Sequence, residues 1–237
     1  MARNYEMKRL FFLLLSCIVT QSSMYAMGHY SLLEAAQNGD LRRIVTLLNS
    51  LHLNVNQTNP YGKTALHCAA NSGHNQIVEY LIGRGAGINR QTQGGATPLY
   101  IATDSGHKSV VHTLLDQGAD VNKPTLTDQT PLHAAAFNGL IEIARLLLQY
   151  GATVNTYNDE CDTPLDFAYN NGHLDVVKLL AERGGHNPRR PVDDERSIPQ
   201  FQLDLDTEND PNINIAPTIR PFAKPVIQTF DGSPLDL

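Results

Sequence analysis

Nine histidines and three cysteines in 237 residues are the side chains that could hold a metal ion or act as base and nucleophile. Five of the histidines fall in two registers. His67 and His133 close a Thr-x-Leu-His run, and His74, His107 and His173 each follow a glycine. If each register step is one packed helix pair, successive histidines stand about 10 Å apart or more, too far to share one ion. Tyr100 and Asp166 occupy the register of His67 and His133, which is expected to remove a hydrogen-bonding imidazole from two interfaces and loosen them. Cys68 and Cys161 are three steps, about 30 Å, apart and cannot bond to each other. Cys17 sits in an apolar segment, so there is no disulfide framework. Asp159, Glu160 and Asp162 surround Cys161 and disfavour its thiolate. Carboxylates are plentiful, yet no phosphate loop, metalloprotease helix or nucleophile elbow accompanies them. The sequence nominates no catalytic residue, no metal ligand and no cofactor, and the chain is expected not to be an enzyme.

The elements that carry these residues repeat. Four stretches align without gaps at a step of 33 residues: GKTALHCAANSGHNQIVEYLIGRGAGIN from Gly62, GATPLYIATDSGHKSVVHTLLDQGADVN from Gly95, DQTPLHAAAFNGLIEIARLLLQYGATVN from Asp128, and CDTPLDFAYNNGHLDVVKLLAERGGHNP from Cys161. Thr64, Thr97, Thr130 and Thr163 stand in phase, as do Leu66, Leu99, Leu132 and Leu165. Threonine followed by proline suits the start of a helix: the hydroxyl takes an orphan amide, and proline has no amide to waste. A short Ala-rich first helix follows, ended by glycines such as Gly73 and Gly106 in a left-handed cap. A second helix then carries an apolar stripe, as in Ile143, Leu146 and Leu147, that one unit cannot bury alone. Stacking of neighbouring units is therefore required. A degenerate earlier copy, LLEAAQNGDLRRIVTLLNSLHLNVN from Leu32, raises the expected count to five.

This sequence resembles the ankyrin-repeat family, through its 33-residue period and Thr-Pro-Leu-His-x-Ala signature, over about residues 30–186. The resemblance implies an all-α-dominated solenoid of helix-turn-helix units joined by hairpin loops. It also implies a concave face of hairpin tips and first-helix surfaces that grips other proteins. Function on such a fold lies in the positions that vary between units. Those positions nominate Tyr61, Lys63, Leu126, Phe137, Asp159, Glu160 and Asp162 as protein-binding residues. Tyr61, Leu126 and Phe137 are apolar groups expected to face solvent, of the kind that anchor interfaces. The three acids would attract a basic patch on the partner and speed its approach.

The flanks read differently. Lys8 and Arg9 precede the apolar run Leu10–Val19, and a polar small-residue stretch leads to Ala26. This is the order of a secretory signal peptide over residues 1–26, cleaved after Ala26, with Met7 as an alternative start. The run is half the roughly 20 residues that a spanning helix needs, so no stable membrane span is expected. In the alternative reading, Leu14–Cys17 is a lipobox and Cys17 carries lipid, which would make the protein an envelope-associated scaffold. Residues 187–237 hold eight prolines and show no helical period, and are expected to be a disordered or extended tail. Net charge divides as +2 over residues 1–26, −4 over 27–186 and −4 over 187–237. No basic face suits nucleic acid. The expectation is a monomeric, secreted or periplasmic bacterial protein that binds an unidentified protein, as an adaptor or effector that acts on a host.

Overall fold

The computed structural model describes residues 32–186. The segment expected to be a signal peptide with its expected cleavage position at Ala26, Cys17 and the expected tail 187–237 lie outside the described residues. Ten helices follow one another among the described residues: α1 (residues 32–37), α2 (Leu41–Ser50), α3 (Ala65–Asn71), α4 (Asn75–Gly83), α5 (Pro98–Asp104), α6 (Lys108–Asp116), α7 (Pro131–Phe137), α8 (Ile141–Gln149), α9 (Pro164–Asn170) and α10 (Leu174–Glu182). They form antiparallel pairs, and each pair stacks on the next to give an all-α solenoid of helix-turn-helix units.

Local chemistry sets the helix starts. Thr97 Oγ1 accepts the Tyr100 amide at 3.1 Å, and Pro98 occupies the first helical position. In α3 and α7 the Thr64 and Thr130 amides instead donate to Nδ1 of His67 and His133, both at 3.1 Å. The glycines that follow three of the first helices, Gly39, Gly73 and Gly139, are required for a steric reason as well as a conformational one. At Gly139, with φ +66°, a Cβ would lie 2.5 Å from Nδ1 of His173 in the next unit. The His173 ring fills that space, and its Nε2 donates to the Phe137 carbonyl at 2.9 Å. His74 and His107 do the same to the Gln37 and Asn71 carbonyls, at 3.0 and 2.9 Å. These three histidines are rivets between units.

The core is a set of in-phase columns. Leu66, Leu99, Leu132 and Leu165 from the first helices are buried, as are Leu81, Leu114, Leu147 and Leu180 from the second. Alanines 69, 102, 135 and 168 are fully buried, which lets the short first helices approach one another closely. A second ladder joins the loops that follow the second helices. Asn56, Asn122 and Asn155 each donate through Nδ2 to the carbonyl of a glycine one step on, namely Gly85, Gly151 and Gly184. Each also accepts a backbone amide from that same loop.

Candidate protein-binding surface

The hairpins that precede each first helix are built alike. At the two end hairpins a side-chain oxygen closes the tip: Asn59 Oδ1 accepts the Tyr61 and Lys63 amides, both at 3.0 Å, and Asn158 Oδ1 accepts those of Glu160 and Asp162, at 3.1 and 2.7 Å. Thr92 and Thr125 hydroxyls serve the two hairpins between them, accepting the Ala96 and Gln129 amides. Neighbouring tips are joined through their backbones. The Gln93 amide donates to the Tyr61 carbonyl at 3.0 Å, Leu126 to Gly94 at 3.1 Å, and Asp159 to Thr127 at 3.2 Å. This stitch requires close approach at Gly95, where φ is +78° and a Cβ would collide with the Leu126 amide nitrogen. The four tips therefore form one continuous edge.

The residues nominated from the sequence divide between that edge and the first-helix surface. Tyr61 and Leu126 stand on the tip row, 69% and 74% exposed. Lys63 is exposed on the same tip as Tyr61 and has no ion-pair partner among the described residues. Asp159 and Glu160 are exposed on the last tip, while Asp162 is half-buried and gives its carbonyl to His133 Nε2 at 3.2 Å. Phe137 lies apart from these, at the far end of the seven-residue α7, about 10 Å from the tip row at helical rise. It is 49% exposed and edge-on to Phe167 of α9, with centroids 5.9 Å apart. Phe167 is in turn edge-on to His133 at 5.5 Å. Phe137 is thus the open end of an aromatic cluster rather than an isolated side chain.

Sequence reasoning missed two features of this face. Phe167 follows the signature position in α9, where Cys68, Ile101 and Ala134 stand in the other units; its bulk at an in-phase position was the available signal. The second is a groove of about 520 Å³ between the first two units, lined by Leu33, Glu34, Gln37, Asn59, Tyr61, Lys63, His67, Cys68 and Asn71. Its α1 wall comes from the degenerate copy, which lacks the Thr-Pro signal and so does not share the register of the other four.

The buried polar groups beneath the face are structural. Burial holds the His67 imidazole down to about 4, against a smaller upward pull from its backbone hydrogen bonds. The neutral ring accepts the Thr64 amide at Nδ1 and donates from Nε2 to the Arg90 carbonyl at 3.0 Å. Burial lowers His133 in the same way. Burial also raises the Cys68 thiol, with Lys63 opposing, so that this groove-floor cysteine is held in its thiol form. Tyr100 corrects the expectation of a loosened interface, while Asp166 caps its own helix. Tyr100 Oη donates to Gln129 Oε1 at 2.9 Å in the next hairpin, and burial first, then Asp104, pushes it up to about 12. Asp166 Oδ2 accepts from the Thr163 amide at 2.9 Å and hydroxyl at 2.8 Å. Tyr100 thus keeps a hydrogen bond to the next unit, whereas the Asp166 bonds to Thr163 stay within one unit and reproduce the capping part of the imidazole's role.

A family model described as Ankyrin repeats (3 copies) matches residues 32–125 and 121–191, more than half of the chain. The chain belongs to the ankyrin-repeat family. No curated protein matches it. Ankyrin-repeat proteins are non-catalytic scaffolds suited to protein–protein interaction, and membership brings a protein partner with it. Among the described residues, no group of three or more His, Cys, Asp or Glu side chains could hold a metal ion. No helix among them is long and apolar enough to cross a membrane.

Proposed function

We propose that this ankyrin-repeat protein is an exported, monomeric adaptor that grips another protein through the tip row and first-helix surface. Tyr61, Lys63, Leu126, Phe137, Asp159, Glu160 and Asp162 are its contact residues. The observation that carries this reading is the exposure of Tyr61 and Leu126, 69% and 74%, on a single edge whose tips are joined by backbone hydrogen bonds. An edge joined in this way loses little conformational entropy on binding, and exposed apolar anchors on it supply the burial that drives association. Export is supported by Lys8, Arg9 and the apolar run Leu10–Val19, ended at Ala26, and on this reading the partner lies outside the compartment of synthesis. A bacterial origin and a host-directed role follow from that form of signal, joined to a repeat best known from intracellular recognition in eukaryotes.

Affinity capture from the receiving compartment tests the contact surface, with wild type beside a Leu126→Ala/Phe137→Ala double variant. A partner retained by wild type and lost by the variant is expected. Equal retention by both refutes this surface. Cys17 supports a second reading, a lipid-anchored envelope scaffold, and mass spectrometry of the mature N-terminus separates the two. A chain beginning at Met27 indicates cleavage, and a lipidated Cys17 indicates the scaffold.

A further inference from the structure

The four tips carry a graded charge. Residues 59–63 sum to +1, 92–96 to 0, 125–129 to −1 and 158–162 to −3, and backbone hydrogen bonds set these segments side by side in that order. The bodies behind them follow the same trend, with +2 over residues 32–96 and −6 over 97–186. Apolar contact points accompany the gradient: at one end the groove lined by Leu33 and Tyr61, which also carries Lys63 and Glu34, the latter paired with Arg43 at 3.9 Å; then Leu126; then the acids. We infer that this face selects a charge-polarised protein segment and fixes its direction. The acidic, apolar end of that segment seats over the groove at Lys63, and its basic end lies over Asp159 and Glu160. The inference rests on the tip-row reading above and adds polarity to it.

The physical reasons are charge and reach. A uniformly basic segment gains at the last tip but meets Lys63 at the first, where no ion pair among the described residues offsets the repulsion. A reversed segment meets like charge at both ends. Only the polarised segment in one direction satisfies both. Successive tips lie about 10 Å apart, so the opposed charges on the partner are separated by about 30 Å, with an apolar side chain about two-thirds of the way from the acidic end to meet Leu126. Charges this far apart are nearly independent at physiological salt, because the separation exceeds the screening length of about 8 Å, and each end contributes locally.

Three fluorescent peptides of one composition test this by polarisation titration against the full chain. One carries Glu and Leu at the start and an Arg cluster at the end, one has the blocks exchanged about an asymmetrically placed Leu, and one has its charges evenly mixed. The peptide whose apolar spacing matches is expected to bind about tenfold tighter than the mixed one, and to lose that advantage with added salt. Asp159→Asn with Glu160→Gln should remove most of the preference, while urea unfolding confirms that the variant folds. Direction is read at exposed Cys161, in a Cys17→Ser/Cys68→Ala background, by disulfide exchange with a pyridyl-disulfide group at either end of the peptide. Capture from the cationic end alone is expected, and equal capture from both ends overturns the polarity. If all three peptides bind equally and Leu126→Ala weakens all of them, the polarity fails and the tip-row reading stands. If none binds, both fail.

Discussion

His67 offers the sharpest check on the folded array, because its environment predicts a pH dependence with a definite sign. The ring is fully buried, and burial lowers it from 6.5 to about 4. Between these values the unfolded chain binds a proton that the folded chain refuses, so acid favours unfolding. The stabilisation is complete above the unfolded value and is lost as pH falls towards the folded one. Linkage with these two values removes about 2 kcal/mol between neutral pH and about pH 5, and about 3 kcal/mol below the folded value. His133 is lowered by burial too and adds in the same direction. The measurement is urea unfolding at about pH 7.5 and about pH 5 for wild type and His67→Gln, with the His67 ring proton followed by NMR. Wild type should lose about 2 kcal/mol more than the variant over that interval. A His67 ring that titrates near 6.5, or parallel pH dependence in the two proteins, would refute the burial argument.

Three further substitutions test other parts of the fold. Leu132 is fully buried in the column of first-helix leucines, and Leu132→Ala should cost about 2–5 kcal/mol in urea unfolding through the cavity it leaves. Thr103 is fully buried with a hydroxyl that has no hydrogen-bond partner, where Ala70 and Ala136 stand in neighbouring units. Thr103→Ala should therefore stabilise by about 1 kcal/mol, measured the same way. Cys161 adopts φ +64° at the tip position held by Gly62 and Gly95 in earlier hairpins. Cys161→Gly should raise stability by about 1 kcal/mol by relieving that backbone, and a lower midpoint would mean that the thiol contributes more than the strain costs.

Much of this architecture is local in origin, which is why it was legible. Thr at the helix start, Pro at the first turn, Ala along the first helix and Gly at its end each act within a few residues, and their recurrence every 33 residues announces the stack. The exposure of Tyr61 and Leu126 follows from position in the period alone. The rivets were half legible: glycine followed by histidine is visible, but that the ring fills the space over the preceding unit's glycine depends on a contact across the interface. Tyr100 misled for the same reason. Its loss of an imidazole is a local fact, and its bond to Gln129, 29 residues on, is not.

The sequence by itself determined the class of fold and the register of its core, because a short-period repeat makes each unit's neighbours copies of itself. Only the tertiary structure decided which varied residues share a surface. It put Tyr61, Leu126 and Asp159 on one stitched edge, set Phe137 apart against Phe167, and opened a groove between α1 and the first regular hairpin. Those outcomes depend on how side chains of unlike size meet across an interface, and on where the backbone comes close enough to bond. Neither is encoded at any single position.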